Sequence, residues 1–124
     1  MSKIEVVRKA GLAAGQSTPG ILRERAFKAE GVLVSRSTIA GGVVSDWHHH
    51  GEMHLFGLLI SGRLRLEFGP KGEEAVDLRP GDFFHIPPGL IHRDVNPNRR
   101  QKGLVANVLL GKGPPVVNVR GPER

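Results

Sequence analysis

The 124-residue chain contains no cysteine and no tyrosine. Without cysteine there is no disulfide framework, no thiolate ligand and no thiol nucleophile, so any strong metal site has to be built from imidazole and carboxylate. Aromatic residues make up only 5% of the chain, too few for a stacking platform along a nucleic-acid groove. That scarcity matters because the net charge of +6 invites a nucleic-acid reading. The basic residues are also scattered: Lys3, Arg8 and Lys9 near the start, Arg23, Arg25 and Lys28 in one stretch, Arg99, Arg100 and Lys102 in another, Arg120 and Arg124 at the end, with no run of five. The expectation is therefore no nucleic-acid partner, and a basic surface that is merely soluble or attracts small anions. No segment approaches the roughly 18 apolar residues of a membrane span, and the first residues lack a signal-peptide pattern. No membrane partner and a cytoplasmic location are expected. The length suits a single domain, 1–124, with one ordinary core.

What the chain does have is six histidines, all in two segments, 48–54 and 85–92. In an extended strand alternate side chains share a face, so His48 and His50 project together while His49 points the other way. A turn through Gly51 and Glu52 would bring His54 to the same place, in parity with Phe56, Leu58 and Ile60. His92 would join from a strand paired nearby. Imidazole is the commonest side-chain metal ligand, and converging histidines at such spacings suit a divalent transition metal. A solvated loop is the alternative for the triple histidine, and Trp47 beside it argues for packed surroundings. His49 reads as a surface or supporting residue, and His85, which alternates with Phe84 and Ile86, as facing outward.

Gly42, His48, His50 and His54, followed by Gly62, resemble the first motif of the cupin superfamily. Gly81, Pro87, Gly89, His92 and Asn96 match its second motif at every position. These motifs, at 42–62 and 81–96, lie at the separation of small single-domain cupins. One departure stands out: where the first motif usually carries a glutamate ligand, this chain has His54 or Leu55. The resemblance implies a metal cupin whose site would be His48, His50, His54 and His92, four histidines in place of three and a carboxylate. It also implies a small-molecule ligand or substrate in the barrel and, at this size, a homodimer.

The rest of the chain agrees with an all-β reading. Ile21 to Ala29 and Gly31 to Ile39 suit strands. Arg63 to Phe68 alternates strictly, with Leu64, Leu66 and Phe68 on one face and Arg63, Arg65 and Glu67 on the other, where charge is cheapest outside. Further strands fit Ala75 to Leu78, Phe83 to Ile86, Leu90 to Val95 and Leu104 to Leu110, and Val116 to Val119 could pair along an edge. Short strands punctuated by turns indicate a sandwich or barrel. Among these the resemblance selects a single-domain jelly-roll (double-stranded β-helix) barrel of the cupin type. Its inward positions would be the four histidines with Phe56, Leu58, Ile60, Leu64, Leu66, Phe84 and Ile86.

Four neutral imidazoles would leave the full dipositive charge on a bound metal, a strong Lewis acid. Zn, Ni, Fe, Cu or Mn are all compatible with such donors. No inward general base is predicted; Glu52 and Asp46 at the rim are the nearest carboxylates, and Glu52 is an alternative ligand. Two function classes follow: a small metal-dependent dioxygenase or isomerase/lyase acting on a small carbonyl or oxygen-rich compound, or a non-catalytic small-ligand-binding cupin.

Overall fold

The structure, a computed structural model, describes residues 2–123; Met1 and Arg124, the two ends of the expected domain, lie outside the described residues. Eleven strands run in the order β1 (Ala13–Ala14), β2 (Ile21–Ala29), β3 (Val32–Ile39), β4 (His48–His49), β5 (His54–Ser61), β6 (Leu64–Phe68), β7 (Glu74–Leu78), β8 (Phe83–Ile86), β9 (His92–Val95), β10 (Gly103–Leu110) and β11 (Val117–Asn118). They form a six-stranded sheet, β1-β2-β3-β10-β5-β8, and a five-stranded sheet, β11-β4-β9-β6-β7. Every strand pair is antiparallel. No helix among the described residues is long and apolar enough to cross a membrane.

The sheets share one core. Ile21, Ile39, Leu55, Leu59, Ile86, Val105 and Leu109 from the larger sheet are buried with Leu64, Leu66 and Leu78 from the smaller. The strictly alternating β6 behaves as its pattern predicts. Leu64 and Leu66 point inward, while Arg65 and Glu67 lie outside in a network with Asp77 and Arg93 at 2.8–3.2 Å.

The parity expected for the strand after the histidine turn is inverted. Met53, Leu55, Gly57 and Leu59 face the core, whereas His54, Phe56 and Ile60 are exposed and Leu58 is half-buried. Two local features set this. The turn closes with the Met53 amide donating to the His50 carbonyl at 3.0 Å, which leaves Met53 pointing in. Residue 57 then has to be glycine, because the tip of the Phe84 ring fills the place that a β-carbon would take. Since β5 is apolar on both faces, alternation of hydrophobicity could not choose between them.

The motif glycines and asparagine are structural. Gly62 has φ +82° and lies against the Lys102 carbonyl, where no β-carbon fits. Asn96 is buried and donates to the Ile39 and Gln101 carbonyls at 3.1 and 2.8 Å while accepting from the Asn98 amide. The C-terminal segment pairs along an edge: Val117 and Asn118 lie opposite His49 and His48, so the tail is laced to the histidine strand.

Gly57→Ala tests the inverted parity. Overpacking against Phe84 should destabilise by about 1–3 kcal/mol, outweighing the roughly 0.5–1 kcal/mol that alanine gains over glycine in an ordinary strand. Ile60→Thr, on the outer face, should stay within about 0.5 kcal/mol of wild type. Urea denaturation of both variants measures the difference, and the reverse ranking would restore the opposite parity.

Candidate metal centre

The meeting of the histidines follows from strand register. His48 in β4 lies directly opposite His92 in β9, so their side chains share a face as a cross-strand pair. His50, two residues on, projects to the same side. The three rings cluster with centroids 4.3–5.5 Å apart, and all three residues are almost fully buried. One nitrogen from each lies within 4.8 Å of the others.

The orientation of each ring is fixed from behind. His48 Nδ1 is 2.9 Å from the Asp46 carbonyl, His50 Nδ1 is 2.9 Å from the Pro115 carbonyl, and His92 Nδ1 is 2.9 Å from the Leu90 carbonyl. A carbonyl oxygen can only accept, so each Nδ1 carries the proton and donates it, and each Nε2 presents a bare lone pair. Burial, reinforced by neighbouring His92, pushes both His48 and His50 down to about 3, and burial likewise pulls His92 below its usual value. All three are neutral imidazoles at pH 7.

A carboxylate lies beside two of the three histidines. Asp94 shares a face with His92, and its Oδ1 is 3.5 Å from His48 Nε2 and 3.9 Å from His92 Nε2. That oxygen is buried and has no hydrogen-bond partner. Its backbone is pinned by Ser45, which accepts from the Asp94 amide and donates its own amide to the Asp94 carbonyl, both at 2.9 Å. With the imidazoles neutral, Asp94 faces lone pairs and no proton. A buried carboxylate oxygen beside two imidazole lone pairs is unfavourable, and a cation between them relieves it. A space of about 20 Å³ lies among these residues, about the size of one water or ion. The residues present thus fit a divalent metal.

His54 does not belong to this group. It is exposed on the outer face of β5, where its Nδ1 lies 3.0 Å from His85 Nε2 and its ring stacks with those of His85 and Phe56. The sheet separates it from the cup. His85 is outward as expected, and His49 supports the turn by accepting the Gly51 amide at 2.9 Å. Glu52 and Asp46 are exposed, and Asp46 serves through its carbonyl alone. The expectation of no inward carboxylate is corrected by Asp94. The signal for it was present, since His92-Arg93-Asp94 places it in parity with a histidine already assigned inward.

A second unforeseen residue is Arg23 of β2, whose strand was too mixed in composition to show a buried face. It lines the same small space as His48, His50 and Asp94, and also a broad cleft of about 830 Å³ that opens from the cup past His50. The remaining wall of the small space is mostly apolar, including Ile21, Leu55, Phe84, Ile86 and Val105.

The sequence model of the cupin domain matches residues 35–102, more than half of the chain and both histidine segments. The chain belongs to the cupin family. A 48-residue stretch of this cupin is 35% identical to the uncharacterized protein YdbB of Bacillus subtilis (strain 168), covering 39% of this chain and 41% of that one. Oxalate oxidase in complex with the substrate analogue glycolate superposes with a TM-score of 0.69 at 24% identity, over 86% of this chain and 60% of its own. The polyketide cyclase RemF from Streptomyces resistomycificus superposes with a TM-score of 0.76 at 20% identity, over 98% of this chain and 89% of its own. This cupin thus spans less than half of YdbB and about three fifths of oxalate oxidase. At these identities the structural matches establish the shared double-stranded β-helix, which is the jelly roll expected from the motifs.

Neutral, buried histidines give the metal-free protein a defined pH response. In the unfolded chain imidazole titrates near 6.5. As pH falls from about 6.5 toward 3, the unfolded chain takes up protons that the folded cup refuses, so stability is lost in that direction. The slope should reach about 1.4 kcal/mol per pH unit for each histidine involved. Urea unfolding of chelator-treated protein between about pH 7 and 4.5 measures it, and a flat profile would contradict the neutral cluster.

Proposed function

We propose that this cupin is a divalent-metal enzyme acting on a small carbonyl or oxygen-rich compound, with His48, His50, His92 and Asp94 holding the metal. The observation that carries this reading is the cluster of three converging imidazole Nε2 atoms, with one orphaned carboxylate oxygen beside two of them. A divalent cation satisfies such a set. Asp94 supplies the carboxylate that the first motif lacks, from the other motif strand. The charge of the site is then one lower than four histidines would leave it.

A divalent metal bound there would polarise a carbonyl or enolate oxygen or generate hydroxide from water. The chain's own residues provide the setting. The three backbone carbonyls lock the imidazoles with Nε2 inward, and Ser45 fixes the strand that carries Asp94. Leu55, Ile86 and Val105 keep water from the inner wall, and the open cleft past His50 gives a small molecule access. An inward carboxylate and an open mouth favour an enzyme over a closed storage protein. Dioxygenase and isomerase/lyase chemistry are the two reaction types such a centre serves.

Elemental analysis of protein purified without chelator should give about one Zn, Ni, Fe, Cu or Mn per chain. His92→Ala should abolish loading, and Asp94→Asn should weaken it by about tenfold or more. His54→Ala should leave it unchanged, because that ring lies on the far side of the sheet. A stoichiometry near zero that added metal cannot raise rejects the reading. Equal loss in the His54 and His92 variants would instead restore a centre of four histidines. Oxygen uptake and product formation across small diketones, phenols, sugars and hydroxy acids then separate the reaction types.

A further inference from the structure

Among the described residues Arg23 is the one cation lining the small space beside the histidines. Its Nη1 donates to Thr18 Oγ1 at 2.7 Å and to the Gln16 carbonyl at 3.4 Å. Thr18, itself fully buried, donates onward to Asn118 Oδ1 at 2.9 Å, so the guanidinium is braced by the loop before β2 and by the tail. Among the described residues no carboxylate lies within ion-pair distance of it. Its chain neighbour Glu24 is taken by Arg36 at 2.7 Å. Burial pulls the Arg23 pKa down, with only the more distant Asp94 opposing.

Braced on one side, a guanidinium still has donors to spare, since it carries five N–H groups and Nη1 alone is engaged. A half-buried cation that keeps open donors beside a ligand-sized cleft is the arrangement that takes a carboxylate, often through two parallel hydrogen bonds. The cleft repeats the sign: Arg25, Lys28 and Lys112 line it, against Glu24, already paired, and Glu30. Opposite the histidines, Asn107 donates to Ser37 Oγ at 2.8 Å, adding polar groups at the same level.

We propose that Arg23 anchors the carboxylate of the ligand, so that the molecule accepted by this cupin is a small organic acid with a second oxygen directed at the histidine cluster. A hydroxy or keto acid is the simplest compound of that class. Only the placement of the second oxygen rests on the metal reading; capture of the carboxylate rests on Arg23.

Calorimetric titration with glycolate, and with neutral glycolamide as its uncharged counterpart, tests this in Co(II)-loaded and in chelator-treated protein. Glycolate should bind the wild type at least tenfold more tightly than glycolamide, a difference of about 1.4 kcal/mol. Arg23→Gln should remove that preference while leaving Co(II) stoichiometry unchanged, and Arg23→Lys should keep part of it. The Co(II) absorption spectrum should shift with glycolate in the loaded wild type. Should Arg23→Gln fail to fold, the glycolate-to-glycolamide ratio of the wild type and of Arg23→Lys carries the test. Equal affinity for the two compounds, no measurable glycolate binding in either form, or an unchanged preference in folded Arg23→Gln overturns the proposal. Failure to load Co(II) rejects the metal reading instead, and the Arg23 proposal is then decided by the chelator-treated protein alone.

Discussion

Three hydrogen bonds from imidazole Nδ1 to backbone carbonyls govern the interior of this protein. Each fixes a tautomer, and together they turn three Nε2 lone pairs toward one point. The carbonyls belong to Asp46, Leu90 and Pro115, which lie in three separate segments. The inner end of the cup therefore exists only when β4, β9 and the C-terminal tail are in place together. The tail is accordingly part of the site: β11 pairs with the histidine strand, and Pro115 holds His50. Burying three imidazoles and a carboxylate in one small space works against folding by desolvation. The large apolar cluster formed mainly by the six-stranded sheet offsets that cost.

Sequence alone carried much of this. The strand over Ile21 to Ala29 was placed with its observed bounds, and the inward faces of β6 and β8 followed from alternation. His48, His50 and His92 were brought together by parity and by the cupin motifs. Parity failed where it had the least physical content. In β5 both faces are apolar, and the choice between them was made by a glycine beneath an aromatic ring and by a turn hydrogen bond, contacts with residues distant in the chain or within the backbone. His54 went to the wrong side on that account. Asp94 and Arg23 escape the sequence reading for other reasons: Asp94 is inward only if the parity of His92 is carried two residues further, and β2, which carries Arg23, is too mixed in composition to show a buried face.

Charge is compensated differently on the outer face of the smaller sheet and inside the cup. On the outer face Arg65, Glu67, Asp77 and Arg93 neutralise one another, and Arg93 also stacks over Trp47 at 4.5 Å. Exposed pairs of this kind contribute little stability individually. Inside the cup, with His48 and His92 neutral, neither Asp94 of the smaller sheet nor Arg23 of the larger has an oppositely charged partner within ion-pair distance among the described residues. A protein under selection for stability alone would have paired them or replaced them with apolar residues of similar size.

The two unpaired charges have opposite sign and line one space, yet they are held apart by separate scaffolds. Asp94 is fixed through Ser45 and Arg23 through Thr18 and Gln16. Had they met, the cup would contain a closed salt bridge with little affinity for an external ion of either sign. Separated, they define a polarity, with the carboxylate beside the imidazole lone pairs and the guanidinium toward the mouth. A cation fits the first place and an anion the second. A ligand that is itself a carboxylate with a further oxygen matches both ends at once, which is how a fold shared by many reactions becomes selective through a few side chains on its inner wall.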